Sequence, residues 1–156
     1  MAIAITLKKY LAHTGVDYDL LKHSPTHSSI QTAAITHIPG NQLAKAVMLE
    51  DNNGRYLLAV IPANQHVDLD KLRRRFQIQL GLAAETELNK VFTDCAVGAI
   101  PPIGMAYGID VMIDSRLDGT SDIFFEGGDH IHLVHLSGKD FQQLFPRVKH
   151  ASFAND

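Results

Sequence analysis

The chain has 156 residues, 46% of them hydrophobic and 20% charged, with a formal net charge of -3. Its length predicts one domain over residues 1–156, large enough to bury a core without disulfide or metal staples. The single cysteine, Cys95, excludes an intramolecular disulfide and fits a reducing compartment, and the negative balance excludes a global attraction to nucleic acid, so any RNA contact must rest on a local basic patch.

The opening "MAIAITLKKY" sets its lysines after the apolar residues, the reverse of a secretory signal. No apolar run approaches the roughly 20 residues of a membrane span. A cytoplasmic protein without a membrane partner is expected. "ITLKKYLAHTG" carries Leu7, Tyr10 and Leu11 at helical spacing, with Gly15 as the stop. "DYDLLKHSP" predicts a short strand halted by Pro25, and Ser28 to His37 a short helix capped by Ser28 or Ser29. The clearest local signal is "LAKAVMLEDNNGRYLLAVIPA", two apolar runs around Asn52, Asn53 and Gly54, which predicts a tight hairpin.

Downstream, "VDLDKLRRRF" predicts a helix capped by Asp68, "IQLGLA" a strand, and "ETELNKVF" a helix with acidic residues in its first turn. A loop rich in glycine and proline follows, then strands at "YGIDVMID", "DIFFEGG" and "HIHLVHLS". Ser137 and Asp140 bracket the start of a last helix in a capping-box-like arrangement. Strands outnumber helices and several are joined by tight turns. The predicted class is α+β, with a mixed and largely antiparallel sheet.

Three stretches carry candidate chemistry. Lys45 interrupts an apolar strand and shares a face with Leu43, Val47 and Leu49 by period-two counting, which aims its charge at the apolar side. Desolvating an ammonium is costly, so such a lysine is either an edge residue that snorkels to solvent or a functional one. In "GAIPPIG", Gly98 to Gly104, glycines admit close backbone approach while prolines fix the path, so the loop either presents amides to an oxyanion or forms a structural corner. In "FFEGGDHIHLVHL", Gly127-Gly128 predicts an open turn with Asp129 and His130 at its exit, and the alternation places His130 and His132 on one strand face. Two same-face histidines are compatible with a metal-dependent hydrolase, but no third ligand accompanies them and no metal or other cofactor is expected. Cys95 has no nucleophile signature around it and is expected in the core. The basic run Lys71, Arg73, Arg74 and Arg75 is a solvated helix face or a phosphate contact.

In their order and spacing, "LAKAVMLED", "GAIPPIG" and "FEGGDH" resemble the YbaK/prolyl-tRNA-synthetase-associated domain family over nearly the whole chain. The resemblance implies an α+β fold whose mixed sheet curls into a barrel-like core with flanking helices. It also implies a free-standing aminoacyl-tRNA deacylase that hydrolyses the ester of mischarged tRNA in trans, chiefly on tRNA(Pro). The partners implied are the acceptor end of aminoacyl-tRNA and an aminoacyl-tRNA synthetase, with no DNA. Carried over by position, the resemblance implies catalytic roles for Lys45, Gly98 and His130. Substrate contacts fall to Ala99, Ile100, Pro101, Pro102, Gly104, Gly127, Gly128 and Asp129. Pro102 is a departure, because many relatives carry a single proline followed by Phe or Val, and the change bears on the pocket wall. An activated ester needs mainly positioning and oxyanion stabilisation, and the resemblance implies that the substrate's own 2'-hydroxyl, or a water it orients, helps supply the nucleophile. A non-catalytic RNA- or protein-binding module of the same fold is the alternative.

Overall fold

The computed structural model describes residues 3–26 and 28–156; Met1, Ala2 and His27 lie outside them. Helix α1 (Ile5–Thr14) ends as its sequence predicts, with the Gly15 N–H closing on Leu11 O at 3.2 Å. Strand β1 (Asp19–Lys22) stops ahead of Pro25, and α2 (Ser29–Thr36) is capped by Ser28, whose Oγ accepts from Gln31 N at 3.2 Å. The predicted hairpin is β2 (Ala44–Asp51) and β3 (Tyr56–Pro62), with Lys45 opposite Ile61. Asp51 Oδ1 holds the turn by accepting from Asn53 N and Arg55 N, each at 2.9 Å.

A short β4 (His66–Val67) leads into α3 (Leu69–Phe76), whose cap Asp68 accepts from Lys71 N at 3.0 Å. Then come β5 (Leu80–Leu82), α4 (Glu85–Val91), β6 (Asp110–Asp114), β7 (Asp122–Glu126) and β8 (His132–Ser137). Helix α5 (Gly138–Gln143) starts where Ser137 Oγ accepts from Asp140 N at 3.0 Å, and β9 (Lys149–Ala151) and β10 (Ala154–Asn155) close the chain.

The strands form three sheets among the described residues: β5-β2-β3-β6-β9, β1-β8-β7 and β10-β4. Pairing is mixed, parallel for β3–β6 and β6–β9 and antiparallel elsewhere. The α+β class stands; among the described residues no sheet closes on itself, so the barrel-like curl is not confirmed. A single parallel bridge, Leu43 to Phe124, ties the start of β2 to the three-stranded sheet.

Strand β3 explains the layering. Its apolar run is buried on both faces, as expected of a strand covered on both sides. Leu58 and Val60 join a first core with Leu7 and Leu11 of α1, Phe125 and Val134 of the smaller sheet and Phe141 of α5. Ala59 and Ile61 face the other way, into a second core with Leu49, Leu72 of α3 and Phe153. The larger sheet therefore shares one core with the smaller sheet and another with α3 and the chain's end.

Two local expectations are corrected. Strand β8 begins only at His132, because Asp129 Oδ1 accepts from Ile131 N (3.0 Å) and His132 N (2.8 Å) and turns the backbone there. His130 sits in that turn at φ +62°, so it does not share a strand face with His132. The C-terminal "KHA" and "AN" also form strands where no element was predicted, held by pairing with β6 and β4 rather than by local pattern.

Candidate active site

Strand β5 covers only Leu49 to Asp51 of β2, and the bridge to Phe124 touches only Leu43. Between them, among the described residues, β2 has β3 on one side and no strand on the other. Ala44, Lys45 and Ala46 line a partly open cavity of about 150 Å³ at this gap. Gly98 and Ile100 of the glycine-proline loop and Glu126 at the end of β7 line it as well. A cavity of roughly this volume takes a guest the size of a benzene ring. It has room for a small side chain.

Lys45 is half-buried. Its Nζ donates to Ala63 O at 3.2 Å, one of three available donors, and burial lowers its pKa from the ordinary lysine value. Glu126 is the residue that the sequence expectations miss. It is buried, 6% exposed, and burial raises its carboxyl pKa. Its Oε1 accepts from Thr32 Oγ1 at 2.9 Å and lies 3.9 Å from His23 Nε2, while its Oε2 has no partner among the described residues. The signal that singles out Lys45, a charge within an apolar strand, is present in "DIFFE" too. The partner threonines in "SPTHSSIQT" carry no such mark.

The two glycine-bearing loops meet. Ala96 N donates to Gly128 O at 2.7 Å, and the His130 ring Nε2 pairs with Val97 O. Gly128 has φ +108°, and a Cβ there would come within 3.0 Å of Ala4 Cβ and 3.3 Å of Cys95 Sγ. A Cβ on Gly127 would sit 2.6 Å from Ile3 Cγ2, so α1's approach occupies the outside of this turn. Asp129 is engaged locally, its Oδ2 pairing with His132 Nδ1 at 2.6 Å. Burial pulls the Asp129 carboxyl upward, but the His132 side-chain and backbone donors outweigh it and hold its pKa below the usual range.

Lys45, Gly98 and Ile100 are thus brought together around the cavity, and His130 buttresses its loop through Val97. Ala99, Pro101, Pro102 and Gly104 are buried behind the loop. Gly104 is packed so closely that a Cβ would lie 2.7 Å from Val111 Cγ2. Of the amides expected to face substrate, Ala99 N is committed to Ala96 O (3.1 Å) and Gly127 N to His132 O (2.9 Å). Gly98 and Ile100 keep amides with no protein acceptor among the described residues.

Cys95, expected in the core, instead borders the cavity half-buried, 3.3 Å from Tyr107 Oη and 3.6 Å from Asp94 Oδ1. Burial is the main cause that pushes its thiol up to about 12, the state of an inert cysteine. The basic run lies elsewhere. Helix α3 packs on the second core, whereas the cavity wall residues Phe92 and Ile100 pack on the first. Arg73 is spent on Leu80 O (2.9 Å) and Asp70 (3.2 Å).

The molecule is therefore a mixed α+β fold with a small, partly open pocket at a gap in strand pairing, furnished with one lysine, one buried carboxylate and the Gly98 loop, which the Gly127-Gly128 turn braces from outside the pocket lining. Residues 23–144 match the model of the aminoacyl-tRNA editing domain, and the chain belongs to that family. No curated protein matches it significantly in sequence. Among solved structures it is similar to the hypothetical protein APE2540, with a TM-score of 0.84 and 20% identity over 96% of this chain and 99% of that one. A candidate trans-editing enzyme for prolyl-tRNA synthetase superposes with a TM-score of 0.81 and 19% identity, covering 97% of this chain and 96% of the other. The chain also matches 31% of a candidate signal-transduction protein from Marinobacter aquaeolei VT8, with a TM-score of 0.79 and 21% identity over 97% of its own length. At such identities the likeness establishes the fold. Among the described residues no helix is long and apolar enough to cross a membrane.

Proposed function

We propose that the chain is a hydrolase acting in trans on the ester of mischarged tRNA(Pro), releasing a small aminoacyl group in the cytoplasm as a single domain and without a cofactor. The observation that carries this reading is the convergence of Lys45, Gly98 and Ile100 on one cavity of about 150 Å³. The aminoacyl side chain enters the cavity, and the terminal adenosine stays at its mouth. Size then sets specificity by the sieve logic of editing sites.

Lys45 acts with the donors that Ala63 O leaves over, holding the terminal phosphate or the ester carbonyl. The Gly98 and Ile100 amides receive the oxyanion as it develops, on a loop whose path is fixed by buried prolines and by the His130–Val97 contact. A water oriented by the substrate's 2'-hydroxyl attacks the carbonyl, and the tetrahedral intermediate expels the ribose oxygen, which takes up the proton that the water loses. Cys95, held as a thiol, takes no part.

The test is a panel of mischarged tRNAs incubated with the protein and with Lys45→Ala. Release of a small amino acid from tRNA(Pro) is expected, with kcat/KM reduced about 100- to 1000-fold in the variant. No ester hydrolysis, or full activity in Lys45→Ala, overturns the reading; acylated tRNA bound without turnover selects a binding module instead.

A further inference from the structure

We propose that Glu126 is the acceptor for the α-ammonium group of the aminoacyl ester, so that the site takes esters of free amino acids and rejects those whose amine is acylated. The inference rests on the deacylase reading above and deepens it. Its starting point is an imbalance. Buried carboxylates are normally satisfied by several donors. Glu126 has one close donor, Thr32 Oγ1 at 2.9 Å, and its Oε2 is buried with none among the described residues. The side chain belongs to a residue that lines the same cavity as Lys45.

The hydrogen-bond inventory indicates a held acceptor. Thr32 has one hydroxyl proton, placed between Ser28 O (3.0 Å) and Glu126 Oε1 (2.9 Å). Thr26 Oγ1, 2.5 Å from Thr32 Oγ1, is then the donor to Thr32, and Glu126 receives at most the one Thr32 proton, in competition with Ser28 O. His23 Nδ1 lies 2.7 Å from Ser24 O and so carries its proton there. His23 Nε2 stands 3.9 Å from Glu126 Oε1, beyond hydrogen-bond distance, and so does not fill the carboxylate either. What fits the vacant oxygen is a donor brought by the ligand, and a cationic one offsets the cost of keeping the charge buried.

An aminoacyl ester supplies that group. Its α-ammonium is attached to the carbon next to the ester carbonyl, so a ligand seated in a cavity of about 150 Å³ carries both groups together. Lys45 alone would repel the ammonium. Glu126 in the same cavity offsets that repulsion and fixes which way the ester enters. An acylated amine, as at the end of a growing peptide, loses the charge and adds bulk where the carboxylate waits. Thr32 acts through Glu126 and is a positioning residue.

The experiment compares alanyl-tRNA(Pro) with N-acetylalanyl-tRNA(Pro). The protein is expected to hydrolyse the free-amine ester at least about 10-fold faster in kcat/KM. Glu126→Gln keeps the shape and the bond from Thr32. It should slow the free-amine ester about 10- to 100-fold while moving the N-acetyl ester less than about threefold, so that the ratio collapses. Thr32→Val should shift the same ratio in the same direction by a smaller factor. Equal loss on both esters, or an unchanged ratio, overturns the assignment while Lys45-dependent hydrolysis leaves the deacylase reading standing. Should no ester be hydrolysed, titration with amide-linked 3'-alanylamino-3'-deoxyadenosine and its des-amino counterpart still decides the matter. Tighter binding of the amine that Glu126→Gln abolishes supports the assignment, and equal binding overturns it.

Discussion

Asp114 and Glu126 are both buried carboxylates at the C-terminal ends of strands, and they are treated in opposite ways. Asp114, fully buried, accepts from Phe153 N and Ala154 N through Oδ2 and from Arg116 N through Oδ1, each at 2.8 Å. Backbone amides from the chain's end surround it, and it bolts that segment to β6. Glu126 has a single hydroxyl donor and an empty oxygen, and it borders a cavity. A carboxylate whose lone pairs are filled by the fold is architecture. One that the fold leaves half-filled beside a pocket is available to a ligand.

The comparison breaks most visibly at Asp114. Asp114→Ala orphans two buried amides and loosens the cap at Arg116, a destabilisation of about 3–5 kcal/mol. Chemical denaturation reads it as a lower midpoint, and hydrogen exchange should show residues 149–155 losing protection first. A loss under about 1 kcal/mol would mean that the two acids are not distinct. Thr32→Val is next in size. It takes the one close donor from Glu126 Oε1 and strands the Thr26 hydroxyl, at a cost of about 1–3 kcal/mol by the same measurement. No change would show that Glu126 is already satisfied some other way.

What was legible in the sequence divides by the range of the forces involved. Helix stops and caps at Gly15, Ser28, Asp68 and Ser137, and the Asn52–Gly54 hairpin, are decided within a few residues and read correctly. The parallel pairings that recruit β9 to β6, and the open edges of sheets expected to curl into a barrel, depend on chain segments far apart. At the site, a charge in the apolar strand marked Lys45, and the same mark on Glu126 stayed hidden beside the more conspicuous Gly127-Gly128. His130 reads as the first residue of a strand, but one Asx-type turn at Asp129 removes it from β8. In the glycine-proline loop the residue types announce a rigid path without saying which amides face inward. Ala99 N is spent inside the loop while Gly98 and Ile100 reach the cavity wall.

The smallest effect is the sharpest test, because its sign differs from the others. Burial raises the Glu126 carboxyl pKa in the folded state, with Thr32, His23 and His130 opposing that rise and Asp129 adding to it. A folded-state pKa above the unfolded value means that the folded protein holds the proton to higher pH. The stabilising contribution is complete below the ordinary carboxylate range and is lost as pH rises through the raised value. Near neutral pH the protonated form is therefore the cheaper one to bury, and Glu126→Gln imitates it permanently. The variant should be more stable than the parent at pH 7 by up to about 1 kcal/mol, or roughly 2–4 °C in Tm. That advantage should shrink toward zero near pH 4, where the parent carries the proton itself. Thermal melts of both proteins from pH 4 to pH 8 measure it. Asp114→Asn, by contrast, puts a side-chain amide against three backbone N–H donors and should lose stability at pH 7. If Glu126→Gln is destabilising at neutral pH as well, then the Glu126 carboxylate is satisfied by the fold, as Asp114 is, and its place beside the cavity carries no ligand.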